Sequence, residues 1–328
     1  MAGTTGVGSL PGTDAAAAVR LALADVDPAW LPELPARGPW ASIVGRATAL
    51  LTGLSTDLSA GEWRLSSASG IDQRRARGTL RDDLEVLEEN AQGYSGPVKL
   101  SVCGPWTLAS QLFRPLGGRV LGDRGARRDV AQSLADGMGV LVADLRRRLP
   151  GLEVRVQVDE PSLPAVLGGR VPTEGGFFRH RSVTEAEVAE VLEPFAQLSD
   201  ESLVHCCAPD VPVRLLTASG RHGAGFAGIS LDGSLLDRTQ WDAVAQAVED
   251  GTGLYLGVLD PSDAAGGPDP IVQRALGWLR PLELGAVLAD RLWLTHTCGL
   301  AGVEPREVPR QLSALRRAAE HVDEALRG

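Results

Sequence analysis

The sequence predicts an α/β fold, a TIM-type (β/α)8 barrel, and three observations lead to this class. Short apolar runs rich in Val, Ile and Leu recur along the chain, and helical patterns follow them. The length of 328 residues accommodates eight strand–helix units in one domain. The apolar runs end in short polar or glycine-rich stretches, as barrel strands do at their catalytic face.

The strand candidates are nearly continuous apolar segments, the pattern of parallel strands covered on both faces. Six of them are clear, and two early segments bring the number to eight. In chain order they span residues 4–7, 41–44, 98–102, 153–158, 202–206, 226–231, 253–259 and 291–295. Helical patterns are predicted at 14–24, 127–148, 184–198, 211–218, 238–249, 270–279 and 304–326.

A doubly wound open sheet is the alternative architecture. No glycine-rich dinucleotide fingerprint follows the first predicted strand, and this favours the barrel. The Ala-Ala-Gly-Gly-Pro segment at 264–268 is predicted to be a loop rather than a domain boundary. We therefore expect one barrel domain that covers residues 1–328.

Composition narrows the classes of function. Hydrophobic residues make up 44% of the chain, and its formal net charge of -10 comes without a dense basic patch, so nucleic acid is not expected as a partner. No window approaches eighteen apolar residues, and the N-terminus shows no signal-peptide pattern, so no membrane association is predicted. We expect a cytoplasmic protein whose four cysteines stay reduced for metal binding, catalysis or packing.

Metal-binding side chains occur where predicted strands end. His205 and Cys207 lie two residues apart, so their side chains point to one face, and Cys206 points away. Cys298 follows the last predicted strand and supplies a second thiolate. Imidazole with soft sulfur suits zinc, and three protein ligands leave a position for substrate. The pattern predicts a zinc site; the alternative is three buried structural residues, since cysteine is often buried.

A fourth ligand is less evident from the sequence. Asp232 ends the strand that follows His-x-Cys, and its carboxylate would complete a tetrahedron around the metal. His296, two residues before Cys298, is the other candidate, although a supporting or loop position suits it better. Cys103 and Cys206 are expected to pack in the core.

Other polar groups at the strand ends suit a small-molecule substrate. Asp159 and Glu160 are adjacent acids after a buried strand, and strand alternation turns only one of them into the pocket. An anion there would hold a cationic group or act as a base, whereas the alternative is an exposed loop pair. The loop around Ser9 offers a hydroxyl and backbone amides to a carboxylate or phosphate, unless it is a simple turn.

Together these motifs resemble the catalytic C-terminal barrel of cobalamin-independent methionine synthase, a family in the same superfamily as uroporphyrinogen decarboxylase. The resemblance extends in order over nearly the whole chain, and its most specific part is the His-x-Cys motif with the distal Cys-Gly-Leu. The motifs are Gly8-Ser9-Leu10-Pro11, Gly104-Pro105-Trp106-Thr107, Val158-Asp159-Glu160-Pro161, His205-x-Cys207 and Cys298-Gly299-Leu300.

The resemblance implies zinc as the cofactor, bound by His205, Cys207 and Cys298. Family members use a glutamate as the other protein ligand, and the best match here is the shorter Asp232. Zinc would bind the sulfur of homocysteine and lower its thiol pKa, so that the sulfur accepts a methyl group near neutral pH.

The resemblance also implies a binding site for the amino-acid part of the substrate. Ser9 and nearby backbone would hold the carboxylate. Asp159 would hold the ammonium group and is the candidate catalytic acid, with Glu160 as a lesser contributor. No clear match is found for the glutamate with which the family also binds the amino group.

The half of the site that binds the methyl donor departs from the family. Gln111 stands where the family has a tryptophan that stacks on folate, and Trp106 comes five residues too early. The stretch 260–263, Asp-Pro-Ser-Asp, lacks the family's acid/base histidine. A methylated corrinoid protein is therefore an alternative donor to folate.

These observations predict a zinc-dependent S-methyltransferase for homocysteine or a related thiol, in methionine biosynthesis. One alternative is a decarboxylase of the uroporphyrinogen type, which would need arginines around a tetrapyrrole and no metal; the His-x-Cys motif and Cys298 argue against it. The other alternative is a non-catalytic metal- or thiol-binding paralogue that has lost its methyl-donor site.

Overall fold

The protein folds around one eight-stranded parallel sheet that curls into a barrel. A computed structural model describes residues 1–24, 26–263 and 266–328. Neighbouring strands follow the order β1-β10-β9-β8-β7-β6-β5-β2, and each pair in this order is parallel. The strands are β1 (Gly3–Thr4), β2 (Ala29–Trp30), β5 (Gly96–Cys103), β6 (Leu152–Asp159), β7 (Leu203–Cys206), β8 (Gly228–Asp232), β9 (Gly253–Leu259) and β10 (Leu292–His296), with a separate antiparallel hairpin of β3 (Ser55–Ser59) and β4 (Glu62–Ser66).

Backbone hydrogen bonds close the barrel between its two shortest strands. The chain segments that follow β1 and β2 form a parallel bridge between Ser9 and Glu33. The Leu10 amide donates to the Glu33 carbonyl at 2.9 Å, and the Glu33 amide donates to the Gly8 carbonyl at 3.3 Å. The seam between β1 and β2 is therefore made at the C-terminal end of the barrel.

Helices surround the sheet, and their apolar faces pack on the outward-facing strand residues in one large core. None of the helices in the described ranges is long and apolar enough to cross a bilayer. They are α1 (Ala15–Ala24), α2 (Ile43–Leu50), α3 (Ile71–Asn90), α4 (Pro105–Gln111), α5 (Arg124–Arg148), α6 (Leu163–Leu167), α7 (Glu185–Ala196), α8 (Val213–Thr217), α9 (Arg238–Glu249), α10 (Asp269–Leu279), α11 (Gly285–Ala289) and α12 (Val308–Arg327).

The predicted barrel class is confirmed, but the predicted strand at 41–44 is wrong. Ser42 instead caps helix α2, since its hydroxyl accepts a hydrogen bond from the Gly45 amide at 3.1 Å. The second barrel strand is β2, whose two residues between prolines at 28 and 32 are too short to show an apolar run. Of the loop predicted at 264–268, Ala264 and Ala265 lie outside the described residues.

The close packing of α5 on α2 depends on a glycine. At Gly137 in α5, a Cβ atom would overlap the backbone carbonyl of Leu50, which cannot move aside as a flexible side chain can. Gly139, two residues later in the same helix, has only a Leu198 methyl group nearby, 3.9 Å from the position of a Cβ. Substitution of Gly137 therefore tests the contact between α5 and α2, whereas substitution of Gly139 tests helix propensity.

We expect Gly137→Ala to lower the free energy of unfolding by about 1–3 kcal/mol, because the helices must move apart. Gly139→Ala should raise it by up to about 1 kcal/mol, because alanine favours a helix over glycine. Urea unfolding of both variants measures the difference. Equal stability of the two variants would contradict the close contact between α5 and α2.

Candidate functional site

A cavity opens at the C-terminal end of the barrel, where the sequence places most of the candidate residues. Its volume is about 250 Å³. Five of the predicted site residues line it together with Glu33. The lining consists of Val7, Gly8, Ser9, Glu33, Pro35, Ser42, Ile43, Asp159, Pro161, His205, Cys207, Cys298 and Gly299.

Two thiols from separate strand ends meet in this cavity. The Sγ atoms of Cys207, after β7, and Cys298, after β10, are 3.9 Å apart. Two sulfur ligands at about 2.3 Å from a tetrahedral zinc would be about 3.8 Å apart, so the spacing suits a shared metal. A hydrogen bond from Cys207 lowers the pKa of Cys298 to about 6, and sharing that proton raises the pKa of Cys207.

His205 stands at the end of β7 as a buried, neutral imidazole. Its Nδ1 lies 2.9 Å from the Ser230 hydroxyl, on the neighbouring strand β8. Burial, and to a lesser degree the charge of Lys99, lowers the pKa of His205 to about 3. The hydrogen bond at Nδ1 leaves Nε2 as the ring nitrogen for another partner.

The remaining candidate ligands lie outside the cavity lining. Asp232 accepts hydrogen bonds from the Ser234 amide at 2.9 Å and hydroxyl at 2.7 Å. His296 faces helix α12, where its Nε2 lies 3.1 Å from the Gln311 side-chain oxygen. Across the described ranges, no three His, Cys, Asp or Glu side chains already form a group that could hold a metal ion.

Two buried carboxyl groups also line the cavity. Asp159 and Glu33 are each 6% exposed. Burial and the nearby Glu33 charge raise the pKa of Asp159 well above its ordinary value, and a hydrogen bond from Gln157 at 2.6 Å partly offsets this. Burial also raises the pKa of Glu33, against the opposing effect of Arg46. When ionised, the pair would form a desolvated negative site that suits a cation.

Sequence reasoning missed Glu33, although a signal for it exists. The residue follows β2 in the segment Leu-Pro-Glu-Leu-Pro at 31–35. An acid at the end of a barrel strand is a candidate site residue, but β2 itself was not recognised. Correct placement of that two-residue strand would have found Glu33.

Below the cavity, the buried side chain of Lys99 connects two parts of the chain, and it is 1% exposed. Its Nζ donates to the carbonyls of Gly6 at 2.7 Å and Val7 at 2.9 Å, and to the Gln157 side chain. Burial lowers the pKa of Lys99 to about 7, while Asp159 and Glu33 act in the opposite direction. Lysine thereby joins the loop before Ser9 to the strand that carries Asp159.

Glu160 points away from the cavity and holds helix α4. Its carboxylate accepts hydrogen bonds from the amides of Trp106 and Thr107, each at 2.8 Å, and from the Thr107 hydroxyl at 2.7 Å. Burial raises the pKa of Glu160 to about 7, against these hydrogen bonds. Gly104 leaves room for the carboxylate, since a Cβ there would overlap it.

Ser9 reaches the cavity from the loop after β1. Its carbonyl accepts a hydrogen bond from the Leu300 amide at 2.8 Å, which joins this loop to the segment after Cys298. A Cβ at position 299 would overlap the Ser9 hydroxyl, so this hydroxyl lies against the backbone of Gly299, the residue after Cys298.

The positions that depart from the resembling family lie at the surface. Gln111 ends helix α4 and is exposed. Asp260 is also exposed, and it accepts hydrogen bonds from the Ser262 amide at 2.8 Å and hydroxyl at 2.6 Å. The other two cysteines, Cys103 and Cys206, are buried in the core.

Among solved structures, the chain is similar to a B12-independent methionine synthase from Shewanella sp. W3-18-1, determined in complex with selenomethionine. The TM-score is 0.61 and the identity 16%, and the match covers 98% of each chain. No protein-family model matches this chain, and a search of curated proteins gives no match either. At this identity the likeness establishes a common barrel fold.

The hydrogen bond between the two thiols predicts an unusual reactivity for Cys298. In zinc-free protein, alkylation of Cys298 should follow a pH midpoint near its pKa of about 6. Cys207→Ala removes the hydrogen bond and should move the midpoint up towards the ordinary thiol value of about 8.5. Iodoacetamide rates followed by peptide mass spectrometry measure this, with buried Cys103 as an unreactive reference. An unchanged midpoint would count against the contact.

Proposed function

We propose that this protein is a zinc-dependent S-methyltransferase that acts on homocysteine or a closely related thiol amino acid. The observation that supports the proposal most is the set of side chains that line one cavity. It brings a thiol pair at zinc-ligand spacing, Cys207 and Cys298, together with two buried carboxylates, Asp159 and Glu33. A thiol amino acid has both groups that such a cavity would recognise, a sulfur and an ammonium.

The chemistry of the donor set fits zinc. Cys207 and Cys298 would hold it with His205, whose ring is neutral and lines the same cavity. Asp232 is the proposed fourth ligand and would have to exchange its bonds to Ser234 for the metal. Bound zinc would lower the thiol pKa of the substrate, which favours the nucleophilic form near neutral pH.

The residues around the thiols would orient the substrate. Asp159 and Glu33 would bind the ammonium group, because a buried ammonium requires an anionic partner. Ser9 and the neighbouring amides would bind the carboxylate from the opposite loop. A cavity of about 250 Å³ suits a small amino acid and leaves the donor to approach from the open mouth of the barrel.

The similar Shewanella protein is a methionine synthase, and this supports a place in methionine biosynthesis. The methyl donor is either a folate or a methylated corrinoid protein. The exposed Gln111 offers no aromatic surface for a pterin ring, which favours a donor held in another way than in the resembling family.

One observation separates this function from a decarboxylase of the uroporphyrinogen type. A tetrapyrrole with several carboxylates requires cationic side chains around it. In the part of the chain that the structure describes, the cavity is lined by two carboxylates and by no arginine. Its charge therefore suits an ammonium group rather than a polycarboxylate.

The first test concerns the metal. Protein purified without chelator should contain about one zinc per chain, because two thiolates and an imidazole are a strong zinc site. Cys207→Ser and Cys298→Ser should each lose most of it, and Cys206→Ala should keep it. Elemental analysis by mass spectrometry gives the content. Full zinc in both serine variants would refute the metal site.

The second test concerns the ammonium group. Asp159→Asn should keep zinc but weaken homocysteine binding by about 2–5 kcal/mol, the cost of removing one partner of a desolvated charge pair. A thiol without the amino group, 3-mercaptopropionate, should lose far less. Calorimetric titration of both thiols into both zinc-loaded proteins measures the difference. Equal losses for the two thiols would remove Asp159 as an ammonium contact.

A further inference from the structure

We infer that Arg46 is a positioning residue for the substrate-binding cavity: it orients Glu33 and keeps its carboxylate ionised for the ammonium group of the substrate. The inference rests on the proposed function, because it assumes a cationic group on the ligand. It assigns a role to an arginine that does not line the cavity itself.

Arg46 lies in helix α2 and is 4% exposed. Its Nε is 3.5 Å from Glu33 Oε1. Its Nη1 donates to the carbonyl of Pro32 and to Asp83 Oδ2, each at 3.2 Å. One guanidinium thus donates a hydrogen bond to the backbone beside Glu33 and lies within ion-pair distance of the Glu33 carboxylate.

The Arg46 guanidinium is in turn held in place by Asp83. Asp83, in helix α3, is 2% exposed and also pairs with Arg37, whose nitrogens approach its two oxygens at 2.7 and 2.8 Å. A buried planar fork held on two sides has little freedom to turn. The position of Arg46 is therefore set by α3 and the loop after β2, before any ligand enters.

Arg46 matters for the ionisation of Glu33 because the burial of this carboxyl group favours its neutral form. Burial and the nearby Asp83 favour the neutral acid. Lys99 opposes them from the cavity floor, but its donors are committed to Gly6, Val7 and Gln157. Among the described residues, Arg46 is the cation within ion-pair distance of Glu33.

Removal of Arg46 has a directional consequence. The pKa of Glu33 rises further, so the carboxyl group is protonated at a higher pH than in the unaltered protein. A protonated Glu33 no longer attracts an ammonium group, so homocysteine affinity is lost on the acid side and returns as the pH rises. A ligand without an ammonium group is insensitive to this change.

The experiment compares Arg46→Gln with the unaltered, zinc-loaded full chain by calorimetric titration between pH 6.5 and 8.5. The probes are homocysteine and 3-mercaptopropionate. We expect homocysteine affinity to fall about tenfold at pH 6.5 relative to the unaltered protein and to fall less at pH 8.5, because protonation of Glu33 is favoured at the lower pH. Affinity for 3-mercaptopropionate should follow the unaltered protein throughout.

Three further variants test whether the effect depends on the charge of residue 46 and on Glu33. Arg46→Lys keeps the charge but not the fork, so its pH profile should stay near that of the unaltered protein even where affinity is reduced. In a Glu33→Gln background, which removes the group that titrates, Arg46→Gln should cause no further loss. Arg127→Gln is the matched control, since Arg127 is also mostly buried and ion-paired, at 2.7 Å to Glu187, but belongs to helix α5.

The outcomes separate this inference from the proposed function. A uniform loss at all pH values, or an equal loss for both thiols, would make Arg46 merely structural and overturn the inference. Unchanged homocysteine binding would do the same. If Arg46→Gln does not fold, the double variant, which removes both buried charges, and Arg46→Lys carry the test. Failure of the unaltered protein to bind either thiol would instead refute the proposed function.

Discussion

The buried ammonium of Lys99 is the interaction on which the cavity depends. It draws the carbonyls of Gly6 and Val7 towards Gln157, and Gln157 in turn orients Asp159. A charged amine inside a barrel is costly unless its donors are used and anions lie nearby. Here the donors are used, but burial still lowers the pKa of Lys99 to about 7. The floor of the cavity is thus a polar network, in which the loss of one member would leave several groups without partners.

Acidic and basic side chains alternate in and beside the barrel. Carboxylates at the cavity, Asp159 and Glu33, are balanced by Lys99 below them and by Arg46 to the side, and Asp83 lies behind the arginine. The thiol pair comes from the ends of β7 and β10, and β7 is the direct neighbour of the strand that carries Asp159. A ligand in the cavity would therefore meet carboxyl groups and sulfur atoms within one site.

Much of the fold, and part of the site, was predictable from sequence. Residue alternation indicated that only one of Asp159 and Glu160 faces the pocket and that Cys206 points away from His205 and Cys207, and the family resemblance selected Asp159. Strand β2 was missed with Glu33, since two residues carry no period. The hydrogen bonds of Glu160 join separate segments of the chain, so no local pattern could reveal them. The turn in which Asp232 accepts from Ser234 is local, but it competes with the metal-ligand role that the resemblance implies for Asp232.

The closing bridge between Ser9 and Glu33 has a mechanical consequence. The barrel is sealed there by a few backbone hydrogen bonds, since β1 and β2 contribute only two residues each. The same two residues also line the cavity. A ligand that contacts both residues would bridge the seam between β1 and β2. Because such a ligand binds the closed barrel and not the opened one, its binding would stabilise the closed barrel.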